Sequence, residues 1–148
     1  MRLLWRVSRH LDSSGAGGLR APGRWHERGS PIVYLSETPA GAVLESCVHT
    51  SANDIPPCFT LLKVVAGERA KVENVPAGSL PVDWIERAQT TREIGSEWLR
   101  SRRSPLLRVP GALVPEMFNV LLNPAHSAVA HVRIEAVYEY PFDPRIKW

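Results

Sequence analysis

GRWHERGSPIVYLSETPAGAVLES, residues 23–46, changes its period halfway along, and that change decides how the chain is read. Pro31–Ser36 is a β-branched and aromatic run bounded by turn formers, the composition of a strand. Thr38 then offers a capping hydroxyl, and Pro39 suits a first helical position whose amide has no partner to lose. Ala42, Val43, Ser46 and Cys47 fall on one helical face, so the unit reads strand, turn, helix, with the helix ending near His49. Upstream, Leu3–Ser8 reads as a first strand and the glycine-rich residues 13–24 as a surface loop. Downstream, Cys58–Ala66 and Ala70–Val75 read as strands whose short Gly-containing connection suits a hairpin. Trp84, Ile85, Ala88, Ile94, Trp98 and Leu99 lie at helical spacing and predict two helices over residues 81–102, interrupted near Thr90, with Trp84 and Trp98 in the core. Leu106–Pro110, Phe118–Asn123 and Ala130–Tyr140 return to strand character. Strands outnumber helices without regular interleaving, which predicts an α+β domain with mixed or antiparallel sheets and flanking helices.

The 148 residues suit one domain over 1–148 with a real core. With 44% hydrophobic and 22% charged residues the chain falls outside the disordered, fibrous and membrane classes. The net charge is only +3 and the basic residues are dispersed, so nucleic acid is not the first partner to expect; the densest basic cluster, Ser96–Ser104, reads as a solvated helix end. The apolar run at the start is short and broken by Arg6, unlike a signal peptide, and no stretch has the length of a membrane span, so a cytoplasmic protein is expected. Cys47 and Cys58 are too few for a disulfide scaffold and read as buried thiols. With His49 they lack both the close cysteine pair and the fourth ligand of a structural zinc site, so no metal is expected.

Arg24 lies on the loop, Tyr34 on the strand and Glu45 about two turns into the helix, so all three can reach one cleft. A guanidinium fork suits phosphate oxygens, a phenol stacks on a flat ring, and a carboxylate accepts from ribose hydroxyls. A dinucleotide has all three parts. The same residues also suit ordinary packing, with Tyr34 half-buried and Arg24 and Glu45 in a surface pair, and Trp25 serves equally as cleft wall or core. GAGG at Gly15–Gly18 is not the glycine fingerprint of a dinucleotide-binding crossover, and neither a phosphate-binding loop with Gly-Lys-Ser/Thr nor a Gly-x-Ser-x-Gly elbow occurs.

Taken in order, LLWRVS, Gly-Arg-Trp, the Val-Tyr strand, the Leu-Glu helix with VHT after it, Thr90–Leu99, LRVPGALVPEMFNVLLNPAH and FDPR resemble the RES-domain family, toxins of bacterial toxin–antitoxin modules. The resemblance covers nearly the whole chain. It implies a fold similar to the ADP-ribosyltransferase toxins and breakdown of NAD at the nicotinamide–ribose bond by phosphorolysis or hydrolysis, with transfer of ADP-ribose to a protein in some members. It also implies a helix-turn-helix, Xre-like antitoxin that covers the active site, so that DNA is met only through that partner. By position, the family's functional residues fall on Arg24, Tyr34 and Glu45, with Arg6 as the arginine of the first strand. Arg24 and Arg6 would then hold the pyrophosphate, Tyr34 would stack on the nicotinamide with Trp25 beside it, and Glu45 would face the charge developing on the ribose or its 2′-hydroxyl. Gly111, in Val109-Pro110-Gly111, stands where most members carry a serine that meets the ligand. The missing hydroxyl implies weakened catalysis, room for a water or phosphate, or a chain that serves mainly to bind its antitoxin. His26 stands where an asparagine often follows Gly-Arg-Trp. Asn123, Pro124 and His126 predict a turn, with the histidine near the site but outside the chemistry.

Overall fold

Thr38 caps the first helix through its Oγ1, which accepts the Gly41 N–H at 3.0 Å in the computed structural model, whose description covers residues 1–9 and 11–146. In chain order the regular elements are β1 (Arg2–Val7), β2 (Val33–Ser36), α1 (Pro39–Val48), β3 (Cys58–Ala66), β4 (Val72–Asn74), α2 (Ala88–Ser101), β5 (Leu106–Pro110), β6 (Phe118–Leu122) and β7 (Val132–Pro141). The strands form one sheet in the order β4-β5-β6-β2-β1-β3-β7, antiparallel at every pairing except β4 with β5. A mixed sheet with two flanking helices is the α+β architecture expected from the sequence.

Apolar burial explains how the sheet curves. Leu106, Val120 and Leu122 from one end pack in the same cluster as Leu62, Val64, Ala66 and Val132 from the other, with Leu4, Val33 and Leu35 between them. Two ends that share a cluster place the sheet in a curve around it. Because side chains alternate along a strand, Leu107, Val109 and Leu121 point the opposite way, into a second cluster with Trp98 and Leu99 of α2, Trp25 and Ile32. Strands β5 and β6 are thus covered on both faces, which is why they read as mostly apolar runs interrupted only by Arg108 and Asn119.

Three expectations are corrected. β3 and β4 do not form a hairpin: β3 is already paired with β1 over Leu61–Ala66 on one side and with β7 along its length on the other, so β4 runs on to pair with β5. Residues 81–102 hold one helix, not two, because Pro81–Arg87 makes successive three-residue turns closed by the N–H groups of Trp84, Glu86 and Arg87, and α2 begins only at Ala88. Cys58 is exposed at the start of β3, whereas Cys47 is buried as expected. Among the described residues, no helix is long and apolar enough to cross a membrane.

Candidate functional site

Helix α2 builds the site from behind. Its buried face presents Thr91, Gly95 and Ser96, one turn apart, to the loop that carries Arg24 and Trp25. The Thr91 hydroxyl donates to the Arg24 carbonyl, Arg92 Nε donates to the Gly23 carbonyl at 2.8 Å, and Ser96 Oγ accepts the Glu27 N–H at 3.0 Å. Gly95 closes the joint: a Cβ on it would lie 1.7 Å from the Trp25 carbonyl oxygen. An irregular loop is thereby tied to α2 at Gly23, Arg24 and Glu27.

That loop aims Arg24 along the protein surface, where Nη1 donates to the Ile85 carbonyl at 2.9 Å and the guanidinium lies 5.8 Å from the Trp84 ring centroid. Trp84, expected in the core, is half-buried, 6.1 Å from the Trp25 ring and beside Arg24. The apolar spacing that suggested a helix there belongs to this wall. Arg24 keeps further donors on its fork for an anion.

Tyr34 is fixed by its hydroxyl. The oxygen accepts the Trp25 N–H at 3.2 Å and lies 2.7 Å from His26 Nδ1, while His26 Nε2 lies 3.0 Å from the Ala21 carbonyl. A carbonyl only accepts, so Nε2 carries the proton and Nδ1 of the neutral ring accepts the Tyr34 O–H, while the Gly23 N–H is shared between the His26 carbonyl at 3.1 Å and Nδ1 at 3.2 Å. Gly23 makes room for this, since a Cβ there would meet the Tyr34 oxygen at 2.3 Å. Burial pushes the Tyr34 phenol up to about 12, so it stays neutral, with its hydroxyl committed on both sides and the ring left for a ligand.

Burial, with a smaller push from Arg92, lowers His26 from its ordinary 6.5, against the raising influence of the Ala21 and Gly18 backbone bonds and of Glu27. Above pH 6.5 folded and unfolded chains both carry a neutral ring; as the pH falls below that value the unfolded chain takes the proton first, and stability drops until the lowered folded value is passed. His26→Asn, whose Oδ1 still accepts from Tyr34, is expected to flatten this dependence. Melting temperatures of both proteins between about pH 5 and pH 7.5 test it, and parallel curves would remove His26 as the titrating group.

Glu45 is held from the opposite side, where Asn119 Nδ2 donates to its Oε1 at 2.8 Å. Asn119 sits on β6 between β5 and β2, facing Val109 and Ser36 in register. Nothing in the sequence singled it out beyond a polar residue inside the apolar run FNVLL.

Around these groups lies a cavity of about 400 Å³ lined by Arg24, Trp25, Tyr34, Glu45, Arg92 and Asn119 among others. An adjoining cavity of about 320 Å³ shares Tyr34, Glu45, His49 and Asn119 and adds Arg6 and Ser36. Each volume lies at the lower end of small-molecule sites, and the shared wall suits an extended ligand in two parts. Arg24, Tyr34 and Glu45 all line the larger cavity, with Trp25 on the same cavity and Arg6 on the neighbouring one. Burial lowers the Arg6 guanidinium from its ordinary range and Asp12 partly restores it, so it remains a cation at neutral pH. Gly111 lines neither cavity, although Pro110, Ala112 and Leu113 line the larger. A Cβ on Gly111 would lie 3.1 Å from the Met117 carbonyl oxygen. Asn123 and His126 form the expected turn, in which His126 Nδ1 accepts the Ala128 N–H at 3.0 Å; His126 lines neither of these cavities. Among the described residues, no three His, Cys, Asp or Glu side chains are grouped as a metal site requires.

Comparison with known proteins bears on the whole chain. The family described as RES domain matches residues 3–143. A protein named Toxin Res from Pseudomonas putida is 36% identical over 146 residues, covering 97% of this chain and 99% of its own. A protein named Prs ADP-ribosylating toxin from Sphingobium sp. is 36% identical over 152 residues, covering 96% of this chain and 94% of its own. Among solved structures, a chain of the M. tuberculosis MbcT-MbcA toxin–antitoxin complex has the same fold, with a TM-score of 0.73 at 15% identity, over 98% of this chain and 86% of that one.

Proposed function

This chain belongs to the RES-domain family, and we propose that it is the toxin of a toxin–antitoxin pair and an enzyme that consumes NAD by cleaving the nicotinamide–ribose bond. The observation that supports this reading is that Arg24, Tyr34 and Glu45, from a loop, a strand and a helix, line one cavity. Nicotinamide in NAD is a cationic leaving group: the ribose C–N bond breaks with its electron pair passing to the ring nitrogen, and no proton is needed. Positive charge then builds on the ribose, where the Glu45 carboxylate stabilises it. A phosphate oxygen, or a water that loses its proton, attacks the same carbon. Arg24 and Arg6 hold the pyrophosphate oxygens from the two adjoining cavities, and the Tyr34 ring orients the nicotinamide.

Incubation with NAD, with and without inorganic phosphate, followed by product identification, tests the reading. The expected products are nicotinamide with ADP-ribose-1″-phosphate when phosphate is present and ADP-ribose when it is not; intact NAD in both would overturn it. Transfer of ADP-ribose to a protein is the second reading, favoured by the name of the Sphingobium relative. Labelled NAD added with cell lysate separates the two, because only transfer leaves label on a protein band. The partner of the first reading is a helix-turn-helix, Xre-like antitoxin seated over the cavity, where Val48 and Leu113 expose apolar surface at the lining. The pair acts in the cytoplasm, where NAD is available. A chain active only as Gly111→Ser would instead be an antitoxin-binding partner without catalysis of its own.

A further inference from the structure

Glu45 brings a negative charge to the larger cavity, so an anion that enters beside it needs a cation on the wall. Arg24 and Arg92 both stand there, and the fields of both reach the Tyr34 hydroxyl, opposing the upward push of burial on that phenol. Among the described residues, five arginines are half-buried. Arg2 and Arg108 are neutralised by Glu37, at 3.2 and 2.9 Å. The other three, Arg6, Arg24 and Arg92, have no carboxylate at ion-pair distance among the described residues. These same three line the two cavities. A half-buried guanidinium without a counter-ion on a cavity wall suits a bound anion.

Arg92 is open to one. Its Nε donates to the Gly23 carbonyl at 2.8 Å, which fixes the side chain against the loop. Its two terminal nitrogens make no hydrogen bond among the described residues, and neither is a covered atom without a partner, since the one such side-chain atom there is Asn119 Oδ1. They are therefore accessible, and the cavity that Arg92 borders, with Ala88 one turn before it on α2, is the larger one. The pyrophosphate of a dinucleotide carries two negative charges, which Arg24 and Arg6 match. Arg92 is the cation left over.

We infer that Arg92 binds inorganic phosphate, the nucleophile of the phosphorolytic reaction. The inference rests on the NAD reading above for the identity of the co-substrate. An oxygen of the hydrogen phosphate dianion bonds to the ribose carbon as the C–N electron pair leaves on nicotinamide, so ADP-ribose-1″-phosphate and nicotinamide account for every atom and no further reactant is needed. Water is neutral and enters beside Glu45 without such a partner. Arg92 thereby sets the balance between phosphorolysis and hydrolysis.

Arg92→Gln separates the anion site from the loop bond: glutamine Nε2 takes the place of arginine Nε and can still donate to the Gly23 carbonyl, while the charged end is gone. Inorganic phosphate is titrated calorimetrically into wild type, Arg92→Gln and Arg92→Leu, each alone and with an excess of the uncleavable carbocyclic analogue of NAD, and the products formed from NAD in phosphate buffer are identified. Wild type should bind phosphate with and without the analogue. Arg92→Gln should weaken phosphate about 10- to 100-fold and the analogue far less, and the ratio of ADP-ribose-1″-phosphate to ADP-ribose should fall by the same factor. Arg92→Leu should weaken phosphate as much and, lacking the Gly23 bond, melt lower as well. If only Arg92→Leu weakens phosphate, the residue serves the loop and the inference is overturned. Equal weakening of phosphate and analogue in Arg92→Gln overturns it too, by assigning the guanidinium to the pyrophosphate, as does wild type that binds no phosphate or loses it to the analogue. Wild type that binds phosphate through Arg92 but binds no analogue and leaves NAD intact would reject the NAD reading and retain Arg92 as a phosphate site.

Discussion

Glu45→Gln is expected to lower kcat for NAD breakdown by about 10³-fold while changing the melting temperature by no more than about 1 °C. The substitution keeps the length and shape of the side chain, and the new amide oxygen can still accept from Asn119 Nδ2 where Oε1 now does at 2.8 Å. What disappears is one negative charge beside the carbon that becomes positive only as nicotinamide leaves. Preorganised groups of this kind contribute about 10²–10³ each, and the upper end is expected here because Glu45 is the carboxylate lining either cavity. The charge matters most in the transition state, so KM should move far less than kcat. Retention of more than about a tenth of the activity would remove Glu45 from its assigned place.

The strand–turn–helix unit of residues 31–48 was legible because each of its determinants is local: the β-branched run, the Thr38 cap and Pro39 act within a few residues of one another. Strand pairing was less so. Whether β4 returns to β3 depends on which edges of β3 are occupied, and both are taken, one of them by a strand more than sixty residues further along the sequence. Trp84 misled for a related reason: its apolar spacing serves a wall against Trp25 and Arg24, and spacing alone does not tell a wall from a helix. Asn119 was invisible because a polar residue inside a strand reads as its solvent side, whereas here it meets a helix residue 74 positions earlier. The reach of Arg24, Tyr34 and Glu45 into one cleft could be inferred from their local elements. The groups that hold them, from His26 to α2, could not.

Helix α2 carries the second large effect. Replacing a glycine inside a helix by alanine normally stabilises it by about 1 kcal/mol, because alanine loses less backbone freedom on folding. At Gly95 the sign should reverse. A Cβ there would lie 1.7 Å from the Trp25 carbonyl oxygen and 2.7 Å from its carbon, and neither backbone atom can swing aside as a side chain would. The helix cannot easily retreat either, since Trp98 is fully buried and Leu99 nearly so against β5 and β6. The loop must therefore move, at the expense of the bonds from Thr91 and Arg92 and of the Glu27 N–H to Ser96. Gly95→Ala is expected to cost about 3 kcal/mol, which at this chain length lowers the melting temperature by about 10 °C. Activity measured well below that transition should still fall about tenfold, because the displaced segment carries Arg24 and Trp25 and anchors the Tyr34 hydroxyl. Gly17→Ala is the matched control: a Cβ at Gly17 meets nothing within 4 Å, and its melting temperature should stay within about 2 °C of wild type. A Gly95→Ala protein that melts higher than wild type would show that α2 and the Arg24 loop are not in contact, and the account of how this site is held would fail with it.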